Sequence, residues 1–142
     1  AKFQFYFAAG DVYRAKKKLY SIIKTATASI AIIDLYLDDQ VFDYIDSLPD
    51  TINIRLLTRG SKPIFRTLYS SLKSKRANLE ARKFGGCHDR FIVLNGDEVW
   101  HLGASINGFG TQAFMIHKVI DEVEKVRFLS DLEDWWQKGD QI

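Results

Sequence analysis

Residues 87–96 read Cys87-His88-Asp89-Arg90-Phe91-Ile92-Val93-Leu94-Asn95-Gly96. The apolar run from Phe91 to Leu94 has the length of a strand and is too short for an ordinary helix. Asn95-Gly96 then supplies two residues that tolerate positive φ, as a tight hairpin turn requires. A second run, 98–102 (EVWHL), follows at once. The spacing predicts an antiparallel hairpin of 90–94 with 98–102.

Upstream the chain alternates helix and strand. Residues 1–7 alternate as a strand does, and Asp11 can cap a helix in which Val12, Ala15, Leu19, Ile22, Ile23 and Ala26 recur at helical spacing. Residues 29–37 (SIAIIDLYL) read as a strand covered on both faces. Asp38 or Asp39 opens a short helix with Val41, Phe42, Ile45 and Leu48 inward, ended by Pro49. A strand over 52–58 leads through Arg59-Gly60-Ser61 to a helix begun by Ser61 and Pro63, and a short strand over 79–84 precedes Gly85-Gly86. Beyond the hairpin, 111–119 reads as a strand and 123–136 as a closing helix with Val126, Leu129, Leu132, Trp135 and Trp136 available to the core. Alternation followed by a hairpin gives an α/β fold, a mixed β-sheet covered by helices on both faces.

The 142 residues fit one domain, and 46% apolar with 13% aromatic content supports a packed core. Cys87 is the single cysteine, so no disulfide forms within the chain, in keeping with a reducing cytoplasm. No apolar run approaches the ~18 residues of a membrane span. The chain opens on Ala1 rather than methionine, which suggests a segment excised from a longer protein. Net charge is only +2, but residues 55–83 carry nine basic residues against one acid, and 121–140 carry seven acids against three bases. Charge divided in this way suits one face to polyanions, or else marks a solvated basic helix balanced by an acidic one.

His88 and Arg90 lie two residues apart and so share a face at the entrance of a strand. Imidazole, with an unperturbed pKa of ~6.5, supplies a largely unprotonated nucleophile near neutral pH without a metal. Arg90 can hold a phosphate oxygen beside it. Gly103-Ala104-Ser105-Ile106-Asn107 brings a hydroxyl and an amide back on the returning chain, where Ser105 and Asn107 can donate to the other oxygens. Phosphoryl transfer rests largely on positioning and charge stabilisation, so the set is chemically adequate.

Other groups are weaker candidates. Asp34 can line the end of the sheet, with capping or hydrogen bonding as its simpler role. Cys87, adjacent to His88, points to the opposite face. His101 and His117 lack the pattern of His88 and read as structural or exposed. Asp38-Asp39, Asp97-Glu98 and Asp121-Glu122 lack zinc or calcium ligand spacing, so no metal or other cofactor is implied. Gly108-Phe109-Gly110 reads as a turn. At least one of Trp135 and Trp136 belongs to the core; a dimer or membrane contact is the other role open to the pair.

The segments His88-x-Arg90-x4-Asn95 and Gly103-Ala104-Ser105-x-Asn107 resemble the signature of the phospholipase D superfamily, H-x-K-x4-D followed by G-S-x-N. Most similar is a bacterial subgroup with an HDRF strand and a GAS turn, associated with phage-type and defence proteins and often joined to a DNA-binding domain. The upstream order matches one repeat of that family, so the resemblance covers 1–142 as a single phospholipase D-like domain. It implies that His88 is the nucleophile and that Arg90, Ser105 and Asn107 bind phosphate, with Asn95 in a supporting place. Arg90 stands for the family's lysine and Asn95 for its aspartate, and the segment between Asn95 and Ala104 is slightly longer than usual. Family members with two motifs use one histidine to attack phosphorus and the other to protonate the leaving oxygen; one motif here implies a homodimer with two His88 copies across a groove.

Two functions follow. The first is a metal-independent phosphodiesterase, a nuclease working through a phosphohistidine, with the basic 55–83 segment favouring DNA or RNA over lipid. The second is a noncatalytic phosphate- or nucleic-acid-binding or dimerisation module beside a DNA-binding or effector domain. A pure interaction domain would bind no anion at all.

Overall fold

The computed structural model describes residues 2–142. Its eight strands are β1 (Gln4–Phe7), β2 (Ser29–Ile33), β3 (Asn53–Thr58), β4 (Leu79–Lys83), β5 (Arg90–Leu94), β6 (Glu98–Leu102), β7 (Phe114–Lys118) and β8 (Asp140–Gln141). The helices are α1 (Val12–Ile23), α2 (Gln40–Asp46), α3 (Pro63–Lys73) and α4 (Glu122–Lys138). All strands join one sheet in the order β1-β7-β6-β5-β2-β3-β4-β8.

β2, β3 and β4 run parallel, because α2 and α3 carry the chain back between them. β5 then pairs antiparallel with β2, Ile32 against Ile92 and Ile33 against Phe91. The hairpin adds β6 to β5 over the predicted residues, with Phe91 opposite His101. Asn95 and Gly96 take positive φ, 56° and 71°, at its turn.

One sheet face carries the main core. Ile30, Ile32, Ile54, Leu56, Ile92 and Leu102 pack there against Leu19 and Ile23 of α1, Val41 and Ile45 of α2, and Phe65 of α3. Among the described residues the other face is covered by one helix, α4, where Ile33, Leu57, Val93, Val99 and Cys87 meet Trp136, Leu129 and Leu132. Helices thus lie on both faces, three against one. Trp136 is a core residue; Trp135 stacks half-buried on Phe84 at 4.8 Å. Asp121 caps α4 by accepting the Glu124 N–H at 3.0 Å.

The structure adjusts several expectations. The strand over 111–119 is confined to Phe114–Lys118, since Gly108 and Gly110 hold a left-handed turn that packs Phe109 into the core and Gly110 against Val12. β8 has no counterpart in the periodicity; two residues carry no period, and it forms by adding to the edge at Arg82 and Lys83. Asp11 precedes α1 without a side-chain cap and pairs instead with Arg14. Ser61 likewise lies outside α3, which begins on Pro63.

Candidate active site at the C-terminal end of the parallel strands

Strand direction decides what can meet. The C-terminal ends of β2, β3 and β4 share one edge of the sheet. The start of β5, the end of β6 and the start of β7 arrive at that same edge because each runs antiparallel to its predecessor. His88, Arg90 and the 103–107 turn are therefore brought together at one end, with the turns after Ile33 and Thr58 beside them. His88 is exposed and Arg90 half-buried.

Asp34 organises this end. It is fully buried, one residue past β2, and accepts from three donors. Ser105 Oγ reaches both its carboxylate oxygens at 2.9 and 2.8 Å, the Ile106 N–H donates at 2.8 Å, and the Tyr36 N–H donates at 3.0 Å. A buried carboxylate is tolerated when its lone pairs are occupied in this way. The sequence reading placed Asp34 at the sheet's end with a hydrogen-bonding role; its grip on the 103–107 turn across the sheet is not a local signal.

This arrangement changes the part Ser105 can take. Its single proton is committed to Asp34, while its oxygen accepts the Asn107 N–H at 3.2 Å. With one O–H donor per hydroxyl, Ser105 has no donor left for a phosphate oxygen. It shapes the turn instead. Asn107 keeps a donor: its Oδ1 accepts from Gln40 Nε2 at 3.4 Å, which leaves the amide NH2 available to donate. Gln40 is itself tied to Asp38, whose Oδ1 accepts the Gln40 N–H at 3.0 Å. Gln40 was not a candidate in the sequence, since its partner lies 67 positions away.

Asn95 lies elsewhere. The five residues of β5, about 17 Å of strand, separate it from His88's end of the sheet. Its Oδ1 accepts the N–H groups of Thr27, Ala28 and Ser29 at 2.9, 2.8 and 3.3 Å and so pins the start of β2. Asn95 supports the sheet and does not touch the site, so asparagine in place of aspartate there alters no group near His88.

Cys87 is buried on the α4 face, where burial pushes its thiol up; its Sγ donates to the Asp89 carbonyl at 3.4 Å. Asp89 faces the same side and meets His101 Nε2 at 3.4 Å. The His101 ring sits 5.3 Å from Phe91 and 4.7 Å from His117. Burial, with His117 and Arg90 nearby, holds its pKa below the usual value against the opposing pull of Asp89.

Four of the nine basic residues between 55 and 83 are spent on structure. Arg76 is buried and donates to the carbonyls of Ile45, Leu48 and Pro49 at 3.2, 3.1 and 2.6 Å, closing the end of α2. Lys73 donates to the Leu79 carbonyl, Arg82 pairs with Glu80 and Arg55 with Glu133. Among the described residues Arg59, Lys62, Arg66, Lys75 and Lys83 form no ion pair. Arg59, Lys62 and Arg66 follow β3, and Lys83 ends β4, at the end that carries His88; Lys75 lies at the other. A cleft of about 550 Å³ between α4 and β2–β4 is lined by Arg55, Arg82 and Trp136 among others and does not include His88.

The chain matches no protein-family model and no curated protein sequence. Among solved structures it is similar over 98% of its length to NucT from Helicobacter pylori, with a TM-score of 0.76 at 13% identity and 98% of that chain covered. It is similar over 98% of its length to Nuc from Salmonella typhimurium, a phospholipase D family member, with a TM-score of 0.74 at 12% identity and 97% of that chain covered. TrmBL2, an archaeal chromatin protein with a novel mode of DNA binding, matches 99% of this chain with a TM-score of 0.65 at 13% identity. There the chain spans about half, 54%, of the longer protein. With its mixed eight-stranded sheet and four helices, the chain has the phospholipase D fold.

Proposed function

We propose that this protein is a phosphodiesterase acting on nucleic acid, with His88 as nucleophile. The observation that carries the reading is the convergence, at one end of the sheet, of an exposed histidine, a half-buried arginine and a turn anchored on a buried carboxylate. His88 attacks phosphorus, a P–N bond forms and the P–O bond to the leaving group breaks. The leaving oxygen takes its proton from His88 of the partner subunit across a symmetric groove. Water then attacks the phosphohistidine, giving its proton back to that second imidazole and freeing the first. Arg90 and the Asn107 amide hold the non-bridging oxygens, and no metal enters the scheme. Arg59, Lys62, Arg66 and Lys83 favour a polyanionic strand over a lipid headgroup, because each phosphate they neutralise releases counterions.

A noncatalytic nucleic-acid-binding module is the second reading. Ser105's commitment to Asp34 favours it, and so does the likeness to TrmBL2, whose described property is DNA binding. The test is cleavage of labelled single- and double-stranded DNA and RNA in excess chelator, beside His88→Ala. Turnover lost in the variant supports the phosphodiesterase; salt-sensitive binding by both proteins without turnover supports the module. Sedimentation at tens of micromolar protein adds the second arm: a strict monomer with full activity overturns the paired-histidine step.

A further inference from the structure

Tyr36 is an aromatic side chain on the wrong side of its neighbours. Leu35 and Leu37 are buried at 6% and 1% exposure, while the Tyr36 ring stands 43% exposed between them. The backbone that presents it is tied down on three sides. The Tyr36 N–H donates to Asp34 Oδ1 at 3.0 Å, the Leu37 N–H donates to Thr58 Oγ1 at 3.4 Å, and the Arg59 N–H donates to the Leu35 carbonyl at 3.2 Å. The Arg59 guanidinium lies 5.8 Å from the ring centroid, a cation–π contact that backs one face.

Position gives the ring its meaning. Ile33 of β2 pairs with Phe91 of β5, and Tyr36 and His88 each lie three residues beyond that pair at the same end of the sheet. Asp34 is a shared anchor, holding Tyr36 through its amide and the Asn107 turn through Ser105 and Ile106. We propose that Tyr36, backed by Arg59, is a stacking platform for one nucleobase of a single-stranded substrate, next to the phosphate held at His88 and Arg90. This rests on the nucleic-acid reading of the site. Bases within a duplex are already stacked on their neighbours and offer no free face, whereas a splayed base can cover the ring. Arg59 serves twice, ordering the ring and adding a positive charge for the flanking phosphate.

The experiment measures binding of dye-labelled single-stranded and hairpin-duplex DNA of equal nucleotide count by anisotropy, in the His88→Ala chain so that nothing is cleaved. Tyr36→Ala and Tyr36→Phe are compared on that background, and a single strand carrying 2-aminopurine reports stacking by quenching. Single strands bind more tightly than duplex; Tyr36→Ala weakens the single strand about tenfold and leaves duplex binding little changed. Tyr36→Phe keeps both affinity and quenching. The platform is overturned if Tyr36→Ala binds single strands as the parent does, or weakens both forms equally. Tyr36-dependent binding to anionic vesicles, with no Tyr36 effect on oligonucleotides, overturns it as well. Tyr36-dependent binding in a chain that never turns over substrate upholds the platform and sinks only the phosphodiesterase. His88-dependent cleavage with no Tyr36 effect does the reverse, and absence of all nucleic-acid binding removes both.

Discussion

Asp34 and Ser105 stand 71 positions apart, yet the serine hydroxyl meets both carboxylate oxygens, at 2.9 and 2.8 Å. The contact joins the end of the central strand β2 to the turn after β6, whose Asn107 N–H donates to the same Ser105 oxygen. Removing one partner leaves the other buried without its hydrogen bond. Asp34→Asn should cost about 1–3 kcal/mol, because an amide cannot accept at every site the carboxylate fills. A double-mutant cycle with Ser105→Ala in denaturant melts should return a coupling of about 0.5–3 kcal/mol. Additive losses would mean that the contact does not hold in solution.

Asn95 tests the separation of scaffold from site. Asn95→Ala should destabilise by about 1–2 kcal/mol through its left-handed backbone alone, with more from the lost acceptor. Asn95→Gly isolates the acceptor, since glycine keeps the positive φ freely. Asn95→Asp should stay within about 0.5 kcal/mol, as a carboxylate oxygen can accept from the same three N–H groups. Stability followed by thermal melts should move with these substitutions, while kcat for cleavage stays constant below the melting range.

Arg76 and the rim cations divide the basic segment. Arg76→Met leaves three carbonyls at the end of α2 without their donor and should cost on the order of 2–4 kcal/mol, with no change in nucleic-acid affinity. Lys62→Gln and Arg66→Gln should behave oppositely. Each should leave the melting temperature nearly unchanged and reduce the slope of log affinity against log salt by about 0.7 for single strands. Titrations at several salt concentrations distinguish the two classes.

His101 should make stability fall on acidification. Its pKa is lowered in the folded chain, chiefly by burial, with His117 and Arg90 adding and Asp89 opposing. The unfolded chain therefore binds this proton at a higher pH than the folded chain does. The contribution is complete above the unfolded value of ~6.5 and is lost as pH drops through the lowered folded value. Urea melts from pH 8 to pH 5 should show a shallower decline for His101→Gln than for the parent. Equal slopes would show that other groups carry the dependence.

Much of the architecture was legible because it rests on short-range chemistry. The Asn95-Gly96 turn and the α4 helix declare themselves through backbone preference or period within a few residues. The strand read over 29–37, by contrast, forms only over 29–33, and Val126, read as core, is 57% exposed. The return of the 103–107 turn to the end where β5 begins follows from the hairpin. Cys87's burial on the α4 face follows from strand alternation.

Other features needed the assembled sheet. Composition counted nine cations between 55 and 83, but only packing makes Arg76 a buried clasp and leaves Lys62 at the rim. The motif spacing grouped Asn95 with His88, whereas a strand laid out at full length holds them at opposite ends. Ser105 read as a phosphate donor until Asp34 claimed its proton. The physical reason is common to all three. Period and turn preference act over a few residues and survive in the linear chain. A side chain's hydrogen-bond partner is chosen by which strand ends the sheet order brings together, and β5 docks on β2 across some sixty positions of chain only when the whole core is buried.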